Sequence, residues 1–243
     1  MFRSPSGFKV SLQALAAGLR ALAAVLILMA AVLAAPSAQA QSRKAGHETN
    51  ATRQARIARQ IQETYTHRWE VAGGGGWLRF RSGEYTQKNS EIAFWLNTNY
   101  YLTRKLGITG ELRGAYGNAK VPNYNQFATL VGNPQISEYP FLAGPTYRFF
   151  MHQKIALSAF ALGGAAIGKF DGASHGIPAS QLGFWPSTNA APAVSLGGNL
   201  DMNVFPNLAF RIAPSYLGTG FGGSWQNNVG FEMGLVVRFG KQK

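Results

Sequence analysis

From Arg68 onward the sequence alternates between apolar and less apolar side chains with a period of two, in eight segments: 69–80, 91–102, 106–116, 137–149, 154–167, 192–204, 208–217 and 230–239. In the second, Ile92, Phe94, Leu96, Thr98, Tyr100 and Leu102 share one face, and Glu91, Ala93, Trp95, Asn97, Asn99 and Tyr101 share the other. Alternation of this kind belongs to a strand with two unlike faces. Segments of about ten residues are the length that a tilted strand needs to cross a bilayer. The segments at 69–80 and 154–167 leave their facing open: the first carries four glycines at 73–76, and the second is apolar on both faces. The glycine run reads as a poorly packed strand or a bend in the wall.

The connections alternate as well. Residues 103–105, 150–153 and 205–207 form short turns, whereas 81–90, 117–136, 168–191 and 218–229 form longer polar loops. Short turns at one rim and long loops at the other characterise outer-membrane barrels. In hydrocarbon every backbone N–H and C=O must find an internal partner, which only helices and closed sheets provide. The expectation is an all-β chain, an eight-stranded antiparallel up-and-down transmembrane β-barrel over residues 68–240, with the long loops outside the cell.

Residues 1–40 read as a signal peptide. Arg3, Lys9 and Arg20 precede an apolar run at 21–35, Pro36 breaks it, and Ala38 and Ala40 supply the small residues of a cleavage site after Ala40. Residues 41–67 are polar and basic. Within them 52–64 has helix-forming residues and a thin apolar stripe of Ala55, Ile57, Ala58 and Ile61, which implies an exposed short helix or a disordered lead-in. The formal net charge of +13 falls to about +10 without the three basic residues of the leader. These charges are scattered, with no recurring basic-aromatic face, so nucleic acid is not an expected partner. The absence of cysteine excludes disulfides, thiol catalysis and cysteine metal sites.

The more apolar strand faces would meet lipid, with Tyr100, Tyr116, Tyr139, Phe149, Tyr216 and Phe239 at headgroup level. The other faces carry Glu91, Glu111, Arg113, Glu138, Arg148, Asp201, Arg211, Glu232 and Arg238. Inside a narrow barrel this nearly balanced set is expected to pair into a lumen ion network, because an unpaired buried charge is costly. The last segment, with Phe231, Met233, Leu235, Val237 and Phe239 on one face, looks like the strand by which barrel-assembly machinery recognises its clients, followed here by a four-residue tail.

The eight segments, the opening 69–74 and the closing 230–239 together resemble the OmpA-like family of eight-stranded outer-membrane barrels, in its barrel domain alone and without a peptidoglycan-binding domain. The resemblance implies a monomer that supports envelope integrity, surrounded by outer-membrane lipid and lipopolysaccharide, with loops free to bind extracellular ligands. Three alternatives remain: a small-solute pore, a lipid A-modifying barrel enzyme and a soluble ligand-binding β-barrel. No P-loop, nucleophile elbow, zinc-protease or EF-hand pattern occurs. The histidines at 47, 67, 152 and 175 have no metal-ligand spacing, so no metal or cofactor is expected. Asp171, Ser174 and His175 are the one candidate catalytic grouping. They fall within a single loop, so the chain is expected not to be an enzyme.

Overall fold

A computed structural model describes residues 50–241. The expected signal peptide at 1–40 lies outside the described residues, as do 41–49 of the lead-in. A helix, α1 (Asn50–Tyr65), leads into eight strands: β1 (His67–Arg81), β2 (Lys88–Tyr101), β3 (Leu106–Asn118), β4 (Gln135–Met151), β5 (Ile155–Gly172), β6 (Thr188–Phe205), β7 (Leu208–Thr219) and β8 (Gln226–Lys241). Each strand pairs antiparallel with its neighbour in sequence, and β1 also pairs with β8, so the sheet closes into a barrel with no free edge. Closure removes the row of unpaired backbone groups that an open sheet would present.

The alternation marked every strand, but most strands continue beyond it. They run from 12 residues in β7 to 18 in β5 and β6. A tilted strand crosses a bilayer with about 9–11 residues, so the surplus carries the wall beyond an apolar core and raises the long loops.

The structure gives β1 and β5 their facing. On β1, Glu70, Ala72, Leu78 and Phe80 are buried inside while Trp69, Arg79 and Arg81 point out. On β5, Ala156, Ser158, Phe160, Leu162, Ala166 and Phe170 point inward. This strand is apolar on both faces because its inner face lines the apolar half of the lumen.

The glycine run has a different cause from weak packing or a bend: the backbones at the closing seam approach closely. Gly74 lies opposite Gly234. A Cβ at 74 would stand 2.2 Å from the Met233 carbonyl oxygen, and one at 234 would stand 2.1 Å from that of Gly73.

Around the outside, Ile92, Leu96, Ile108, Phe141, Leu196, Val204 and Met233 are exposed. In water this continuous band would need a covering partner, because soluble proteins rarely leave large contiguous apolar patches bare. Among the described residues no helix is long and apolar enough to cross a membrane.

Candidate functional site

Buried side chains line the interior from one end to the other, and its chemistry changes along the axis. At the short-turn end, Glu70 is the hub. Its Oε1 accepts from Arg148 Nη2 and, at 2.5 Å, from Arg238 Nε. Its Oε2 accepts from Arg211 Nη2 at 3.2 Å and from the Tyr101 hydroxyl at 3.1 Å. Asp201 completes the cluster by taking Arg211 Nε at 2.6 Å and Nη2 at 2.8 Å, and Arg238 Nη2 at 3.1 Å. The Arg148 guanidinium lies 3.6 Å over the Tyr101 ring. Two carboxylates thus hold three arginines, every one of them buried.

Helix α1 meets the barrel at this end by its last turn. Its stripe of Ile57 and Ile61 continues to Tyr65, which is only 1% exposed, so the lead-in is anchored at its C-terminus. The Tyr65 hydroxyl donates to the His152 carbonyl at 2.6 Å and accepts from Asn203 Nδ2 at 2.9 Å, while Arg148 and Arg238 approach its ring. Burial pushes its hydroxyl above the usual phenol range, so it stays a neutral donor. Gln60 and Gln153 add a side-chain hydrogen bond.

Midway along the barrel, Arg113 forms a second centre. It reaches Glu111 at 2.5 Å, Glu232 at 2.7 Å, and the hydroxyls of Ser195 and Ser215 at 3.0 Å each. Glu91 and Glu138 were expected in the same network, and the structure separates them from it. Both are buried, and none of their four carboxylate oxygens has a hydrogen-bond partner. Their strand positions place them above Arg113, beneath apolar side chains that offer no donor. Beside Glu138, Arg113 and Glu232 is a space of about 10 Å³, roughly the room one water molecule needs.

The expected network is therefore two separate centres. It gains Glu70, which sequence reasoning missed. Once Trp69 and Val71 are placed on the lipid face, period two puts Glu70 inside, but the glycines that follow blurred that phase.

At the long-loop end the lumen is mostly apolar, with Thr219, Gln226 and Asn228 as buried polar members. Phe80 stacks on Phe170 with ring centres 5.7 Å apart, and Phe221 meets Phe170 edge-on at 5.1 Å. Loop residues Val121, Leu182 and Phe184 are buried with them. Asn125 Nδ2 donates to the Gln181 carbonyl, and the Trp185 amide donates to that of Ser82, tying loops across the mouth.

The grouping of Asp171, Ser174 and His175 does not converge. Ser174 Oγ donates to the Ile177 carbonyl at 2.7 Å, and Asp171 accepts from Ser187 at 3.0 Å. Ser174 is buried while the His175 side chain is exposed. Among the described residues no cluster of three or more His, Cys, Asp or Glu could hold a metal ion.

No family model and no curated protein matches the sequence. Solved structures do match over most of the barrel. Ail of Yersinia pestis is 19% identical, covering 70% of this chain and 97% of that one, with a TM-score of 0.45. Neisserial surface protein A is 13% identical over 70% and 97%, at 0.49. The outer membrane protein OprG of Pseudomonas aeruginosa is 12% identical over 72% and 98%, also at 0.49. At these identities the likeness is one of fold.

Proposed function

We propose that this chain is a monomeric outer-membrane β-barrel with a closed lumen, serving the envelope as a structural or surface-interaction protein without catalytic activity. The observation that carries this reading is the pairing of an apolar outer wall with an interior packed along its whole length. The wall calls for lipid, and the two buried charge centres with the aromatic cluster above them support a lumen closed to solute. A soluble ligand-binding barrel fits poorly, because its outside would be polar and its inside hollow. The short-turn end, where Tyr65 of α1 is anchored, would face the periplasm. The long loops would face outward and be free to meet extracellular ligands. The β8 face of Phe231, Met233, Leu235, Val237 and Phe239 points outward along the seam with β1, which suits a strand presented to assembly machinery before closure.

Envelope fractionation with a heat-shift gel tests the placement. The expected result is extraction only by detergent and a folded band that moves on boiling. Free solubility in the periplasm would overturn it. Planar-bilayer recording tests the closed lumen. No stable open channel is expected, whereas reproducible conductance altered by Arg113→Ala or Glu232→Ala would establish a pore. Identical lipid A mass spectra from cells with and without the protein are expected, and a changed acyl pattern would restore the enzyme reading.

A further inference from the structure

The outward end of the β1–β2 wall carries an unusual juxtaposition. Arg81 lies directly opposite Lys88 in the strand register, with both side chains exposed on the outer face. Arg79 stands two residues further down the same face of β1. Like charges set directly across a ladder repel. Among the described residues the Lys88 ammonium hydrogen-bonds only to the Asn227 carbonyl, at 3.2 Å. Among the described residues none of the three cations is bridged by a carboxylate.

Arg81 and Lys88 also line a groove of about 370 Å³ together with Trp185, Trp225 and Glu84. Both indoles are held in place. Trp185 Nε1 donates to the Arg81 carbonyl at 3.3 Å, and Trp225 Nε1 donates to the Tyr216 hydroxyl at 3.0 Å. Gly218 and Gly222 leave the room these rings occupy: a Cβ at either would come within 2.5 Å of the Trp225 or Trp185 ring, respectively. Immediately below the cations, Trp77 pairs with Ile92 across the strands and packs against Phe231 on the lipid-facing wall.

We infer that this groove binds the headgroup of a phosphorylated saccharide lipid of the outer leaflet. Going up the wall, an apolar surface, a cation pair and fixed aromatic faces occur in the order of acyl chain, phosphate and sugar in such a lipid. Phosphate would relieve the Arg81–Lys88 repulsion through charge-assisted hydrogen bonds. The half-exposed Trp225 offers a flat apolar face that suits a sugar ring at a membrane interface, its N–H being taken up by Tyr216. This inference rests on the membrane placement proposed above.

The test is lipid retention in nanodiscs of phosphatidylethanolamine doped with bis-phosphorylated or dephosphorylated lipid A, read by native mass spectrometry. Wild-type protein should retain the phosphorylated form about tenfold more strongly, as expected for roughly 1.4 kcal/mol of differential binding. The double variant Arg81→Gln/Lys88→Gln should lose that preference while keeping its heat-shift. Trp225→Leu should weaken retention of both forms. Equal retention of the two lipids by wild-type protein would overturn the inference. So would an equal loss from Arg104→Gln/Lys105→Gln at the opposite rim, because the effect would then be rim charge in general. Complete displacement by soluble inorganic phosphate would reassign the groove to a free anion. If the barrel inserts and only the preference is missing, the inference fails alone. If it does not insert, the membrane placement fails and the inference with it.

Discussion

Glu70 and Glu138 are both buried lumen glutamates, and the structure predicts very unequal consequences for replacing each by its amide. Glu70 accepts four hydrogen bonds, three from arginines and one from Tyr101. Glu70→Gln keeps the shape but removes the charge and turns one acceptor into a donor facing Arg211 and Tyr101. Arg211 and Arg238 would then share Asp201, and Arg148 would lose its carboxylate partner. Breaking a buried pair so that charge is left uncompensated costs about 3–5 kcal/mol. Glu138→Gln removes a carboxyl group with no hydrogen-bond partner and leaves an amide in the same place, so stability should change by less than about 1 kcal/mol. Guanidinium unfolding of the barrel in one defined detergent, followed by tryptophan emission, measures both from the shift in midpoint at constant slope. Equal effects in the two variants, or a Glu138→Gln barrel weaker by more than about 1 kcal/mol, would refute the division of the lumen into paired and unpaired carboxylates.

Tyr65→Phe removes the bonds to His152 and Asn203 and should free α1 at a cost of about 1 kcal/mol; limited proteolysis within 50–64 should quicken while the heat-shift of the barrel stays. Gly74→Val places side-chain atoms where even a Cβ would stand 2.2 Å from the Met233 carbonyl oxygen, so β1 should fail to close on β8 and the folded band should be lost from heat-shift gels. Phe80→Ala removes a fully buried ring from the apolar end and should lower unfolding free energy by about 3–5 kcal/mol, without opening conductance, because the Glu70 cluster closes the other end independently.

The fold was legible because its signal repeats. Each segment such as 106–116 is weak by itself, but a shared period of two joined to alternating short and long connections allows few architectures. Strand ends were less legible. In β5 and β6 the alternation fades before the hydrogen bonding does, since residues beyond the lipid belt have no apolar face to keep. The lumen was legible in composition and not in pairing. Arg113, Glu111 and Glu232 come from β3 and β8, and their meeting depends on barrel stagger, which no local pattern encodes. The same stagger leaves Glu91 and Glu138 without a hydrogen bond to any arginine, although Glu138 lies beside Arg113 across the small space they share. Tyr65 was hidden for another reason. A single buried residue at a helix end leaves no periodic trace, and its partners lie 87 and 138 residues away.

The charge of the chain takes on its meaning only once inside and outside are separated. Six of the ten acids, Glu70, Glu91, Glu111, Glu138, Asp201 and Glu232, are in the lumen with four arginines, so the interior is acid-rich. Outside the lumen, the acids among the described residues are Glu63, Glu84 and Asp171, set against thirteen lysines and arginines. Arg104, Lys105, Lys154 and Lys241 gather at or beyond the short-turn ends of the strands, and Arg79, Arg81 and Lys88 at the long-loop end, with the apolar band between them. A basic chain that bound nucleic acid would concentrate its cations on one face. Here they bracket an apolar belt at both rims, the arrangement that two anionic headgroup layers would draw toward themselves, each cation near the surface being worth about 1 kcal/mol. The Arg81–Lys88 pair is where that general attraction becomes a site, because there the cations oppose each other directly and a pocket with fixed walls stands beside them.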